Sequence, residues 1–238
     1  MQTITDFAER WKDSAETCKA IAELFTDMVN ANPELKAHRD FVEQNGYGFG
    51  ERAFHYMWKL IVDDLPDEFR FMEIGVYKGQ VISLIRMLAP KATIYGVTPL
   101  DSSGGMAERD YRGDIEALHD RFELPNMYRL FVGPSQDPAI VNQVFSNVPY
   151  LDVLYIDGGH EYEECRDDIA NYVPLVKIGG YLVIDDCANK FQHPYGYFMG
   201  IESVSRAVDR VLPPHNHTND YWVHLGNVVH NRIWKRVK

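Results

Sequence analysis

The sequence predicts an α/β protein: a doubly wound, mostly parallel sheet that closes with an antiparallel hairpin and is preceded by helices. Three observations carry this. From Phe69 onward, short apolar runs alternate with amphipathic stretches. Before Phe69, apolar residues recur at helical spacing. After Leu212 the alternation gives way to two strand-like runs on either side of Gly226-Asn227.

Near the start, Phe7, Trp11, Ala15, Cys18, Ile21, Leu24, Phe25 and Met28 form one apolar helical stripe. Asn32-Pro33 supplies an N-cap and a first-turn proline for a helix that turns Leu35, Phe41 and Val42 inward. The segment from Asn45 to Gly50 is glycine-rich and aromatic, and reads as a mobile loop. A helix near Arg52–Leu65 presents Phe54, Met57, Trp58, Ile61 and Leu65. Strands follow at Phe69–Ile74, Thr93–Val97, Tyr128–Val132, Leu151–Ile156 and Tyr181–Ile184. Helices lie between them near Gln80–Leu88, Gly113–Phe122, Pro138–Phe145 and Tyr162–Val173. Such alternation implies a parallel sheet covered on both faces. A helix near Gly200–Leu212 leads to strands Tyr221–Leu225 and Val228–Trp234, and Gly226-Asn227 between them suits a primed hairpin turn. The basic run Arg232–Lys238 alternates with apolar residues, so it reads as a final strand with one solvated face. Residues 1–50 are expected to form a helical lid or a segment that pairs copies of the chain in a homo-oligomer, and residues 51–238 the sheet domain.

Composition narrows the function. The 238 residues suffice for one such domain, and the net charge of −11 repels a phosphate backbone, so no nucleic-acid partner is expected. No apolar stretch approaches the roughly 18 residues of a spanning helix, so no membrane partner is expected either. The N-terminus has neither a basic leader nor an apolar signal core, and three scattered cysteines make no disulfide framework. A cytoplasmic location is expected.

Four motifs carry chemistry. The first, Glu73-Ile74-Gly75-Val76-Tyr77-Lys78-Gly79, joins a strand to a helix. Gly75 allows a tight turn and close approach of a ligand, Gly79 lets the helix pack closely, and Glu73 suits a cationic amino-acid group. The spacing is not that of a pyrophosphate-binding fingerprint. In the second, Gly133-Pro134-Ser135-Gln136-Asp137-Pro138, Ser135 and Gln136 offer groups able to read an adenine edge, while Ser135 or Asp137 can cap a helix. The third, Asp157-Gly158-Gly159-His160, and the fourth, Asp185-Asp186-Cys187, end apolar strands where open α/β sheets bind ligands. Asp157, Asp185 and Asp186 repel one another unless a cation sits among them, and an all-oxygen set points to a hard ion such as Mg²⁺. Adjacent strand residues face opposite ways, so Asp185 and Asp186 can share an ion only where the strand loosens. The His215/His217 pair reads as an exposed loop without a third metal ligand.

These motifs, in this order, resemble the class I S-adenosylmethionine-dependent methyltransferases. Within them the chain is similar to the metal-dependent macrolide-sugar O-methyltransferases and the cephalosporin-hydroxylase-like branch, with the Rossmann-like fold and closing hairpin that this implies. The likeness covers Phe69 to Asp186, and the hairpin by layout. By resemblance, Glu73, Gly75, Tyr77 and Gly79 hold the methionine end of the cofactor and Ser135 and Gln136 contact adenine. Asp157 lines the cofactor site and also binds the metal with Asp185 and Asp186, and Asp157 and His160 are the catalytic pair of an Asp-x-x-His arrangement in which His160 is the base. Thr98 stands where the family carries an acidic residue for the ribose, and Asp101 is a substitute for it. The implied reaction is methyl transfer to a hydroxyl of a small molecule with vicinal oxygens: the metal lowers the hydroxyl's pKa while His160 takes the proton. The Tyr47–Phe49 segment and the Asp101–Arg112 loop, with Gly104-Gly105, are candidate covers for the substrate. Two rival readings are a nicotinamide-dependent oxidoreductase and a non-catalytic cofactor-binding protein.

Overall fold

The chain opens with helices α1 (Ile4–Arg10), α2 (Ala15–Ala31), α3 (Pro33–Asn45) and α4 (Ala53–Asp63). The computed structural model describes residues 3–12, 14–101, 107–191, 197–212 and 220–238, so Gly104, Gly105, His215 and His217 lie outside the described residues. The apolar stripe from Phe7 to Met28 is two helices rather than one. Thr3 and Asp6 form a capping box that starts α1, and the Ser14 hydroxyl accepts from the Thr17 amide at 3.2 Å to start α2. Asn32 caps α3 as its sequence predicts, accepting from Glu34 and Leu35 at 3.1 Å each.

The sheet strands are β1 (Arg70–Ile74), β2 (Thr93–Thr98), β3 (Tyr128–Val132), β4 (Leu151–Ile156), β5 (Val176–Ile184), β6 (Trp222–Val228) and β7 (Asn231–Arg236). Their order is β3-β2-β1-β4-β5-β7-β6, with β1 to β5 mutually parallel and β7 antiparallel to both of its neighbours. Helices α5 (Gln80–Leu88), α6 (Tyr111–Arg121), α7 (Pro138–Asn147), α8 (Tyr162–Tyr172) and α9 (Glu202–Val211) complete the doubly wound arrangement.

Each face has its own core, because alternate strand residues point opposite ways. Phe71, Val153, Tyr155, Val183 and Ile233 join residues of α1, α2, α4 and α5 on one face. Met72, Leu154, Leu182, Ile184 and Trp234 join residues of α7, α8 and α9 on the other. The N-terminal helices thus share a core with the sheet: Trp58 of α4 stands edge-on to Phe71 and Tyr155, with centroids 5.6 and 5.1 Å away.

The hairpin differs from the sequence expectation in two ways. Its turn is Val229-His230, because β6 runs through Gly226 and Asn227 to Val228. Gly226 serves close packing instead: a Cβ there would lie 2.6 Å from Trp11 and 2.9 Å from Phe7, both on the N-terminal segment. The turn is made by Val229 at φ +51°, a left-handed conformation unusual for a β-branched residue. The final strand also lacks a solvated face along its first half. It lies between β5 and β6 rather than at an edge, so Arg232 and Trp234 are fully buried, Arg232 donating to Asp209 at 2.6 Å.

Candidate active site

The parallel strands β1, β4 and β5 end side by side, and their registers carry one step beyond the sheet. The Asp157 amide donates to Ile74 and the Asp185 amide to Ile156, each at 2.9 Å. Glu73, Asp157 and Asp185 therefore arrive at neighbouring carboxyl ends, where such sheets bind ligands. Glu73 is 2% exposed and its Oε2 has no hydrogen-bond partner among the described residues. Burial, then Asp157 and Asp185, push its carboxyl well above the usual range.

Gly75 makes the approach possible. It has φ +91°, and a Cβ there would lie 1.8 Å from the Asp157 carbonyl, so only glycine lets this turn pass the end of β4. Two residues on, Tyr77 is also left-handed, at φ +47°, and its ring lies 5.6 Å from both Phe49 and Tyr111. Phe49, of the Tyr47–Phe49 segment, is 82% exposed. Gly79 begins α5 against Ile115.

The loops after β2 and β3 lie next along this edge. Thr98 is buried, its carbonyl accepting from the Gly133 amide at 3.0 Å, while Asp101 is exposed. In the second motif the capping role is realised by Asp137, which accepts from Ala139 at 2.8 Å. The Ser135 carbonyl accepts from the Tyr172 hydroxyl at 2.6 Å. The Gln136 amide donates at 2.9 Å to Asp168, a fully buried carboxylate that burial pushes up to about 7. The adenine-reading candidates are thus fastened from behind by α8, through Tyr172 and Asp168, two residues that no motif marks.

The fourth motif behaves as a loosened strand end. Ile184 is the last residue of β5, and Asp186 turns to φ +54°, which aspartate tolerates better than most residues. Both carboxylates then face His230, whose Nδ1 lies 2.6 Å from Asp185 Oδ1 and 3.1 Å from Asp186 Oδ1. Against the pull of burial, these contacts raise His230 to about 10. Burial also pushes Asp185 upward, yet the His230 cation and the hydrogen bonds from His230 and Tyr155 hold it below the usual carboxylate range. Asp157, by contrast, is pushed well up by burial, Asp185 and Asp186. The Tyr155 hydroxyl ties the two strands together, 3.0 Å from Asp185 and 3.3 Å from Asp157. His160 Nε2 lies 3.3 Å from Asp186 Oδ2 with its side chain half exposed, and its carbonyl accepts from the Ser203 hydroxyl at 2.6 Å.

Among the described residues, Asp185, Asp186 and His230 form the group of metal-ligating side chains close enough to share an ion, with Asp157 joined to it through Tyr155. Sequence reasoning misses His230, because the turn signal is at Gly226-Asn227 while the turn itself is Val229-His230. It also missed Tyr155, which reads as an ordinary apolar strand residue.

Residues 72–187 match the Methyltransf_24 family, described as a methyltransferase domain. The uncharacterized protein R132 of Acanthamoeba polyphaga mimivirus is 27% identical over 152 residues, 61% of this chain and 64% of that protein. The chain therefore spans less than two thirds of this relative. Among solved structures, a putative caffeoyl-CoA O-methyltransferase from Staphylococcus aureus superposes with a TM-score of 0.65 at 12% identity, over 91% of this chain and 99% of that one. The O-methyltransferase NovP gives a TM-score of 0.55 at 18% identity, over 78% and 80%. The MycE methyltransferase of the mycinamycin biosynthetic pathway, in complex with Mg and SAH, gives 0.51 at 19%, over 80% and 51%. At these identities the structures speak for fold. The family match, however, runs from β1 to Cys187 and so takes in all four strand-end motifs. Residues 72–187 are thus similar to a methyltransferase domain, within a fold shared with the O-methyltransferase structures named above.

Proposed function

We propose that this chain transfers the sulfonium methyl of S-adenosylmethionine to a hydroxyl of a small molecule with vicinal oxygens: a sugar diol, a glycosylated metabolite or a catechol. The observation that carries the reading is the meeting of Glu73, Asp157, Asp185, Asp186 and His160 at adjacent strand ends.

Both groups the reaction needs fit the residues present. The turn at Gly75 is a cradle that any side chain would fill, and the unpartnered Glu73 oxygen suits the ammonium of the methionine moiety. Tyr77 and Gly79 continue that wall; Thr98 ends β2, and Asp101, Ser135 and Gln136 sit on the loops that would carry the ribose and adenine. Asp157, Asp185 and Asp186 would hold a divalent ion, Mg²⁺ being the simplest choice for oxygen donors. Such an ion supplies charge neutralisation, orientation of two acceptor oxygens and a lowered hydroxyl pKa.

The chain's own residues do the rest. His160 accepts the hydroxyl proton at Nε2, and its exposure leaves room for the acceptor beside Asp186. The new O–CH₃ bond forms as the S–CH₃ bond breaks, and the proton passes from His160 to solvent. Placement of the two reactants supplies most of the remaining rate. The acidic surface suits an acceptor without a phosphate backbone. No described helix is long and apolar enough to cross a membrane, and the three cysteines are free, in keeping with a cytoplasmic enzyme. Residues 1–50 are read as a cover for this end of the sheet or as a contact between copies.

Titration calorimetry with S-adenosylmethionine tests the cofactor half. The wild-type chain binds, and Glu73→Ala loses on the order of 1.5–3 kcal/mol, the worth of a charge-assisted contact. Unchanged affinity in that variant removes Glu73 from the site, and no binding by the wild type removes the reading.

A further inference from the structure

His230 stands where the oxygen-only ligand set put no residue. It is 4% exposed in the β6–β7 turn and directs Nδ1 at both carboxylates of the Asp pair, 2.6 and 3.1 Å away. One ligand atom from each of the three residues lies within 4.8 Å of the others. Neighbouring donors around a six-coordinate ion with bonds near 2.1 Å are about 3.0 Å apart. The set therefore needs to open only slightly to admit an ion.

The imidazole is held in that attitude. Phe54 and Phe198 meet it edge-on, with centroids 4.7 and 5.3 Å away. Asn231, the fully buried residue that follows His230, has both amide atoms without a hydrogen-bond partner among the described residues.

Resting on the cation site proposed above, we infer that His230 is a ligand to the ion through Nδ1, beside Asp185 and Asp186. A nitrogen donor among carboxylates changes which ion the site takes. Mg²⁺ prefers oxygen donors and gains little from imidazole, whereas first-row divalent ions gain from both. The resident ion is therefore of the Mn²⁺, Fe²⁺, Co²⁺ or Zn²⁺ class. The competing account makes His230 merely the protonated counter-charge of two carboxylates.

Pulsed electron paramagnetic resonance on the full chain loaded with Mn²⁺ decides between them, because a bound imidazole adds a ¹⁴N modulation to the Mn²⁺ echo. The wild type should show it, and His160→Ala should keep it, which excludes the other nearby histidine. His230→Gln should lose it, with Mn²⁺ affinity down by roughly 10–100-fold. Mn²⁺ bound at one equivalent without ¹⁴N modulation overturns the inference while leaving the cation site standing, and modulation that disappears in His160→Ala does the same. No Mn²⁺ binding by the wild type removes the cation site and this inference together. The wild-type and His160→Ala spectra decide the matter even if His230→Gln does not fold.

Discussion

Two buried histidine clusters lie on the same side of the sheet, and their neighbours push the imidazoles in opposite directions. Between α3, α4 and α5, His38 Nδ1 meets His55 Nε2 and His38 Nε2 meets Ser83 Oγ, both at 2.9 Å. At the strand ends, His230 meets Asp185 and Asp186. All three histidines are almost wholly buried. Burial, then Arg39 and His119, drives His38 down to about 3, and burial, then His38 and Arg39, drives His55 well below its ordinary value. Burial acts on His230 in the same sense, but the two carboxylates outweigh it. Depth is common to both clusters; the neighbours decide the charge. The first cluster is neutral and joins three helices. The second concentrates charge at the edge where ligands arrive, which costs stability unless function requires it.

The sharpest way to break this contrast is activity. His160→Ala, beside the charged cluster, should lower kcat by roughly 10²–10⁴-fold with cofactor binding retained. Ser83→Ala, in the neutral cluster, should leave kcat near the wild-type value. Steady-state rates showing equal effects would dissolve the functional distinction, and a wild-type rate in His160→Ala would remove the base.

Acid comes next. His38 is neutral in the fold and titrates near 6.5 when unfolded, so below about pH 6.5 the unfolded chain takes up the proton first. Its contribution is complete above that pH and drains away as pH falls toward about 3, by at most about 1.4 kcal/mol per pH unit. Urea denaturation at a series of pH values should show a shallower loss in His38→Gln than in the wild type. Parallel curves would mean that His38 is already protonated in the fold.

Smaller effects test individual contacts. Tyr155→Phe removes the hydroxyl shared by Asp157 and Asp185 and should cost about 1.5–3 kcal/mol, as for a bond to a charged acceptor. Ser83→Ala should cost nearer 1 kcal/mol, as for a neutral bond. If denaturation ranks the two in reverse, the strand-end carboxylates are not charged.

The two clusters also differ in how far they could be read from sequence. Asp157, Asp185 and Asp186 were legible because they follow apolar strand runs, Glu73 because it stands one residue before a strand's end, and Gly75 because the run turns directly into a helix. The doubly wound sheet followed from the same alternation. His230 was hidden because Gly226-Asn227 offers a better turn signal than Val229-His230, and tertiary packing of Trp11 against Gly226 overrides it. One signal could have found it: the closing strand must lie against β5, so a histidine at its start arrives beside Asp185-Asp186. His38 and His55 gave no signal, since their partnership joins two helices with no periodic relation to each other. The break between α1 and α2 was hidden because the apolar stripe continues through Trp11 to Ala15, and Ser14 alone marks the restart.

The most direct test is transfer of the S-adenosylmethionine methyl group to a catechol or a sugar diol, followed before and after exhaustive chelation. The account predicts turnover that chelation abolishes, that Mn²⁺ restores in the wild type, and that Mn²⁺ does not restore in Asp185→Asn. Full turnover after chelation, with Asp185→Asn as active as the wild type, would contradict it and leave the strand-end carboxylates and His230 with a structural role alone.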